Sequence, residues 1–161
     1  DYNLIEREAR NLAELGVKIT NAANKQLRFD HPENKDWNEL SFCLFAGPVI
    51  QKNEEFWAKS VVAIQPGKID RSPTGTALCA RMAILRQSGV MRVGDVLTVS
   101  SIINSEFRGS ILEDTSVGSK LAIVPEVSGR GWITGTKRQL LDPSDPWPEG
   151  YRLTDTWPNY K

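Results

Sequence analysis

The chain has 161 residues, 40% hydrophobic and 25% charged, which suits one ordinary globular domain or two very small ones and argues against disorder. Lys and Arg together number 20, as do Asp and Glu, so no overall field favours nucleic acid or an anionic membrane as partner. There is no apolar run of the roughly 18 residues a membrane span needs, no signal-peptide layout, and no zinc-ligand spacing among one histidine and two distant cysteines.

A cytoplasmic protein is expected, with Cys43 and Cys79 as buried thiols inside apolar stretches. The chain opens on "DYNLIEREARNL", without an initiator Met and already in helical rhythm, as a fragment or processed piece would. Leu4, Ile5, Leu12, Leu15, Ile19, Ala22, Ala23 and Leu27 recur at three- and four-residue steps and predict one long amphipathic helix over residues 3–27. Gly16 weakens it by about 1 kcal/mol relative to Ala unless something packs closely there. "FDHPENKDWNE" reads as a loop, with His31 a solvated loop histidine.

"LSFCLFAGPVI" and "FWAKSVVAIQ" are aromatic and β-branched, with "KNEE" between them, and read as a hairpin in which "FAGP" ends a strand in a turn. Residues 73–88 read as a second helix closed by Gly89. Three strand-like runs follow, "DVLTVSSII", "EFRGSILE" and "KLAIVPEV", separated by Asn104-Ser105 and Gly118-Ser119; "GRGWITGTKRQLL" continues the strand pattern. In these runs Arg108 reads as a strand-end salt-bridge partner and Glu106 and Glu126 as solvated edge residues. Trp132 reads as a core or interface filler. The tail "DPSDPWPEGYRLTDTWPNYK" has four prolines and two tryptophans, a density that forbids regular structure and calls for a surface to lie on.

The second helix is apolar nearly all round: Ala77, Leu78, Cys79, Ala80, Met82, Ala83, Ile84 and Leu85 leave only Arg81 to interrupt the girdle. Such a helix must be enclosed. The fold class expected is therefore α+β, with a mixed, mostly antiparallel sheet of about six strands curled around a central buried helix.

The mouth of that helix is "IDRSPTGT". Ser72 and Pro73 suit the N-cap and first helical position. The amides of Thr74, Gly75 and Thr76 then lack intrahelical acceptors and, with the macrodipole, make a seat for a carboxylate or phosphate. Gly75 removes the side chain that would crowd an anion. Asp70, four residues before Thr74, suits a cationic amine, so the pair describes a receptor for an amino-acid zwitterion. The plainer reading is that Ser72 caps the helix and Asp70 complements its dipole. A P-loop is disfavoured, since no Lys follows the second glycine.

"DRSPTGTALCAR" closely resembles the second active-site motif of the proline racemase family, usually DRSPCGTG, and "SEFRGSI", "IVPEVSGRGWITGT" and "DPSDPWPEGYRLTDTWP" resemble the family's C-terminal half. The resemblance implies a diaminopimelate epimerase-like half: a sheet around a central helix, facing a second such half across a cleft. It implies residues 1–140 as the C-terminal catalytic half-domain. Residues 141–161 would be a tail packing on an N-terminal half that carries a catalytic Cys in a Met-Cys-Gly-His type motif and is absent from this sequence. It further implies a proline or hydroxyproline substrate and no metal or organic cofactor. By the same resemblance, Gly75 and Thr76 amides bind the substrate carboxylate, Asp70 its ring nitrogen, and Thr74 takes the catalytic position.

Thr74 stands where racemases and 4-hydroxyproline epimerases carry Cys. Inverting an α-carbon needs a proton taken on one face and returned on the other. A thiol does this well, with a pKa near about 8.5 that a helix N-terminus lowers, whereas a threonine hydroxyl is weak without an adjacent base. Elimination needs a base on one face only, with Thr74 in a supporting hydrogen-bonding role. The threonine form of the motif resembles trans-3-hydroxy-L-proline dehydratases, which form Δ1-pyrroline-2-carboxylate. A racemase or epimerase with its Cys replaced is the rival reading. A non-catalytic amino-acid-binding fragment, associating with its missing half or with itself as a homodimer, is a third.

Overall fold

The computed structural model describes residues 3–151. In chain order these form a 3-10 turn at Glu6–Glu8, helix α1 (Ala9–Gln26), strands β1 (Phe42–Ala46), β2 (Ile50–Lys52), β3 (Glu55–Ile64) and β4 (Lys68–Ile69), helix α2 (Gly75–Gln87), and strands β5 (Val96–Ser100), β6 (Glu106–Val117) and β7 (Lys120–Gly129). The seven strands join one mixed sheet in the order β1-β3-β5-β6-β7, with β2 and β4 also paired to β3. Only β3 and β5 run parallel. Parallel neighbours need a crossover, and α2 supplies it. The architecture is α+β, as the sequence predicts.

Alternation along β3 gives the sheet its two cores. Phe56 and Ala58 face one side, where Leu78 and Met82 of α2 meet Met91, Leu97, Val99 and Ile111. Val61 faces the other, where Leu12 of α1 meets Ile102, with Phe45 and Ile69 against them. The Gly16 position is explained here. A Cβ built on it would lie 2.3 Å from the Ala63 Cβ of β3 and 3.3 Å from the Phe45 ring, so the absent side chain is what lets α1 settle onto the sheet.

The predicted hairpin is divided. Its first run breaks at Gly47-Pro48 into β1 and β2, both antiparallel to β3. The β2–β3 turn is two residues, Asn53 and Glu54, with φ of 49° and 68°, the backbone a type I′ turn demands. His31 is a loop histidine whose Nδ1 accepts from the amides of Glu33 and Asn34. Strand pairing of β7 stops at Gly129, opposite Phe107 near the start of β6. Residues 130–141 carry no strand, and Trp132 is exposed.

Among the described residues up to Arg130, enclosure of α2 is one-sided. Ala77, Leu78 and Met82 are buried, and so is Arg81 at 8% exposure, whereas Ile84 on the outward side is 65% exposed. Arg81 does not interrupt the girdle at the surface: its Nη2 donates to the Gly47 carbonyl, while Nη1 is buried with no hydrogen-bond partner among the described residues. The C-terminus is as the sequence predicts. Gly89 at φ 75° ends the helix, its amide on Arg86 O and that of Val90 on Leu85 O, a Schellman closure.

Two compact units meet between Arg130 and Gly131. The second, through residue 151, is irregular up to residue 142 and then turns twice: the Ser144 amide and hydroxyl donate to Asp142 Oδ1, and the Trp147 amide to Asp145 Oδ1. The tail's second tryptophan, Trp157, lies outside the described residues. No helix among the described residues is long and apolar enough to cross a membrane.

Candidate active site

Strand β4 delivers the chain to the mouth of α2. The Asp70 amide closes on Val62 O at 3.0 Å, and Pro73 is fully buried, so residues 70–74 are pinned at both ends of a tight bend. The sequence places the N-cap at Ser72, but the helix begins two residues later, at Gly75, with Thr74 as N-cap. The Ser72 hydroxyl accepts instead from the Thr74 amide at 3.1 Å. Thr74 is consequently forced to φ 61° and ψ 102°, a region that a β-branched residue enters only when its surroundings insist.

This shift alters the seat by one residue. The Thr74 amide is occupied, and the first helical hydrogen bond runs from Leu78 N to Thr74 O at 3.0 Å. The amides ahead of it are those of Gly75, Thr76 and Ala77. A Cβ built on Gly75 would meet nothing within 4 Å, so packing in this chain does not require glycine there, and the space before those amides is open.

Asp70 gathers the polar groups of the bend. Its Oδ1 accepts from the Ser72 amide at 2.9 Å and the Ser72 hydroxyl at 3.1 Å, and its Oδ2 from the Thr74 hydroxyl at 2.6 Å. Burial pushes this carboxyl up. The hydrogen bonds from Thr74 and Ser72, with the positive charge of Lys68, outweigh burial and hold it below the usual range. A carboxylate has about four lone-pair sites and three are filled, which leaves one on Oδ2 for a further donor.

The structure therefore brings Asp70, Thr74, Gly75 and Thr76 together at one helix mouth. What sequence reasoning missed is that Asp70 is the acceptor for Thr74 itself. The signal was the four-residue spacing, but the bond depends on the non-helical bend at Thr74. The remaining candidates lie elsewhere. Arg108 pairs with Glu55 across the sheet. Cys43 and Cys79 are free thiols, half-buried, and burial pushes both upward. A concavity of 400 Å³ beside the outward face of α2 is lined by Ala83, Ile84, Leu121 and Ile123 together with Gln87 and the Arg86–Asp114 ion pair.

The family model described as proline racemase matches residues 1–152. A probable proline racemase from Agrobacterium radiobacter K84, solved with bound carbonate, superposes with a TM-score of 0.75 at 33% identity, over 97% of this chain and 45% of that one. A hydroxyproline epimerase from Agrobacterium vitis, solved with bound trans-4-hydroxy-L-proline, gives a TM-score of 0.75 at 29% identity, over 97% of this chain and 44% of that one. The chain thus spans less than half the length of these solved relatives.

Proposed function

The chain belongs to the proline racemase family, and from that premise we propose that it is the C-terminal catalytic half of an enzyme that dehydrates trans-3-hydroxy-L-proline to Δ1-pyrroline-2-carboxylate. In this reading the Gly75 and Thr76 amides, joined by that of Ala77, hold the substrate carboxylate. The open lone pair of Asp70 takes an N–H of the protonated ring nitrogen. An N-terminal half supplies the cysteine base, and the cleft lies between the halves.

The observation that carries the reading is the state of Thr74: a hydroxyl at the second-face position, with its one proton on Asp70 at 2.6 Å. Such a group is a poor proton donor, and the carboxylate beside it, held below the usual range, is too weak a base to make the hydroxyl a good acceptor of the α-proton. Dehydration of the trans-3-hydroxy isomer asks for neither. Its carboxylate and hydroxyl lie on opposite ring faces, so the α-hydrogen and the leaving hydroxyl share a face. The thiolate removes the α-proton, the C–H electron pair forms the ring double bond, and the C–O bond breaks. The thiol then returns its proton to the departing oxygen, giving water. The resulting enamine tautomerises to the imine. Thr74 on the opposite face holds the Asp70 carboxylate in place for the ring nitrogen.

A second reading is 4-hydroxyproline epimerase, favoured by the likeness to the solved epimerase. The full-length protein, given each hydroxyproline separately, decides between them. We expect water loss and imine from the 3-hydroxy substrate, read by trapping with o-aminobenzaldehyde, and no epimer from the 4-hydroxy one. Epimerisation of the 4-hydroxy compound without imine from the 3-hydroxy compound would overturn the dehydratase reading.

A further inference from the structure

Thr74 sits in a backbone state that does not persist unaided. Its own segment supplies some of the restraint, through Ser72 and Asp70, but those bonds travel with the segment and do not fix where it lies. Fixing it falls to contacts from outside. One is the ladder bond from Asp70 N to Val62 O, and another is the burial of Pro73. The third comes from the β5–β6 turn, where the Ser105 hydroxyl donates to the Arg71 carbonyl at 2.9 Å.

That turn is built for the purpose. Ser105 has one hydroxyl proton, and it is on Arg71, so the 2.8 Å contact between the Ser101 and Ser105 hydroxyls has Ser101 as donor. The two hydroxyls form a chain aimed at Arg71, in which each bond strengthens the next. Ser101 is 0% exposed, and its amide closes on Ser105 O at 2.8 Å. Asn104 turns the chain at φ 60°, and its side chain is held by Lys59 Nζ at 2.8 Å.

We infer that Ser105, braced by Ser101, is a positioning residue: it holds the Arg71 carbonyl, and through it places Asp70 and Thr74 before the amides of α2. The inference rests on the proposed reading of this mouth as a hydroxyproline site. The seat for the carboxylate belongs to the helix and stays where it is when the loop shifts. Loosening the loop moves Asp70, which holds the ring nitrogen, but not the carboxylate's amides, so the substrate is misoriented more than it is released, and a misplacement of about 1 Å costs on the order of a hundredfold.

The test uses the full-length protein with Ser105→Ala, Ser105→Thr, Ser101→Ala and the double Ala variant, assayed on trans-3- and trans-4-hydroxyproline alongside thermal unfolding. Ser105→Ala should lower kcat about 10- to 100-fold, raise KM by less than about tenfold, and lower the unfolding midpoint by no more than a few degrees, the cost of the orphaned Ser101 hydroxyl. Ser105→Thr, which keeps the hydroxyl, should recover most of the loss. Ser101→Ala should cost little in the Ser105→Ala background, because it acts through Ser105. A Ser105→Ala enzyme within twofold of wild type in kcat would overturn the inference, as would strictly additive losses. If wild type epimerises the 4-hydroxy substrate and does not dehydrate the 3-hydroxy one, the dehydratase reading falls and the same variants judge Ser105 on epimerisation. A wild type inactive on both would overturn reading and inference together.

Discussion

Gly75 opens a helix, where Ala is favoured over Gly by about 1 kcal/mol, and a Cβ there would meet no atom within 4 Å. Gly75→Ala should therefore leave stability unchanged or raised by up to about 1 kcal/mol in urea unfolding. In the full-length enzyme it should raise KM about tenfold or more, because the methyl stands where the substrate carboxylate approaches. An unchanged KM would remove the carboxylate from this mouth. Asp70 makes a prediction in pH. Its carboxyl is held low in the folded chain, so its contribution to stability is present above the unfolded value near about 3.9 and is lost as pH falls through the folded value. Asp70→Asn should be less stable than wild type at neutral pH by about 1 kcal/mol, modest because the group is only partly buried. The difference should close in acid below about pH 3.9; a gap that persists there would assign it to shape rather than charge. At this scale the sequence showed the cluster, since "DRSPTGT" puts a carboxylate, hydroxyls and a glycine within one turn. The bend that lets the Thr74 hydroxyl donate to Asp70 was not legible, because the positive φ at this β-branched residue is held partly by the local Ser72 bond and partly by Pro73 burial and the Arg71 tether, which are tertiary.

Helix α1 and the sheet meet at Gly16, and there the missing side chain is what matters. Gly16→Ala gains helix propensity, but its Cβ would fall 2.3 Å from the Cβ of Ala63, a backbone-fixed atom with no rotamer to yield. Net destabilisation of about 1–3 kcal/mol is expected in urea unfolding, partly relieved by Ala63→Gly in the same chain. Gly109→Ala meets the tip of Met82 at 2.7 Å, a flexible thioether that can move aside, so its cost should be the smaller of the two. The opposite order would mean that α1 is free to shift and α2 is not. Gly16 was legible in sequence as a helix-weakening residue awaiting a close neighbour, though not which neighbour. The start of α2 was set two residues early because Ser72-Pro73 has the composition of a cap while Thr74 has its geometry. The division of β1 from β2 at Gly47-Pro48, and the end of β7 at Gly129, depend on which strand stands alongside. A single run of residues does not carry that information.

At the scale of the whole molecule, the apolar girdle of α2 demanded enclosure, and the described residues up to Arg130 provide it on one face. Leu78 and Met82 are sealed by the sheet, while Ile84 is 65% exposed and Leu121 of β7 88%. The α+β class was legible because periodicity and β-branched runs separate helix from strand locally; how much of α2 one chain can cover was not. The chemistry has the same one-sidedness. In the proposed reading Asp70, Thr74 and the three leading amides of α2 hold and orient a hydroxyproline, and the one ionised base among them, Asp70, is held below the usual carboxylate range by three hydrogen bonds and is committed to the ring nitrogen. The proposed base belongs to another half, and the solved relatives run to more than twice this length. The 161-residue chain alone should therefore bind substrate weakly, with turnover lower than that of the full-length enzyme by at least about 10²-fold, the usual contribution of one positioned base. Adding the separately produced other half should restore imine formation, and a version of that half with its cysteine changed to alanine should not. Turnover by the lone chain equal to the full-length rate would place the base among these residues and overturn the two-half mechanism, leaving Thr74 and Asp70 to be reconsidered as the acid–base pair.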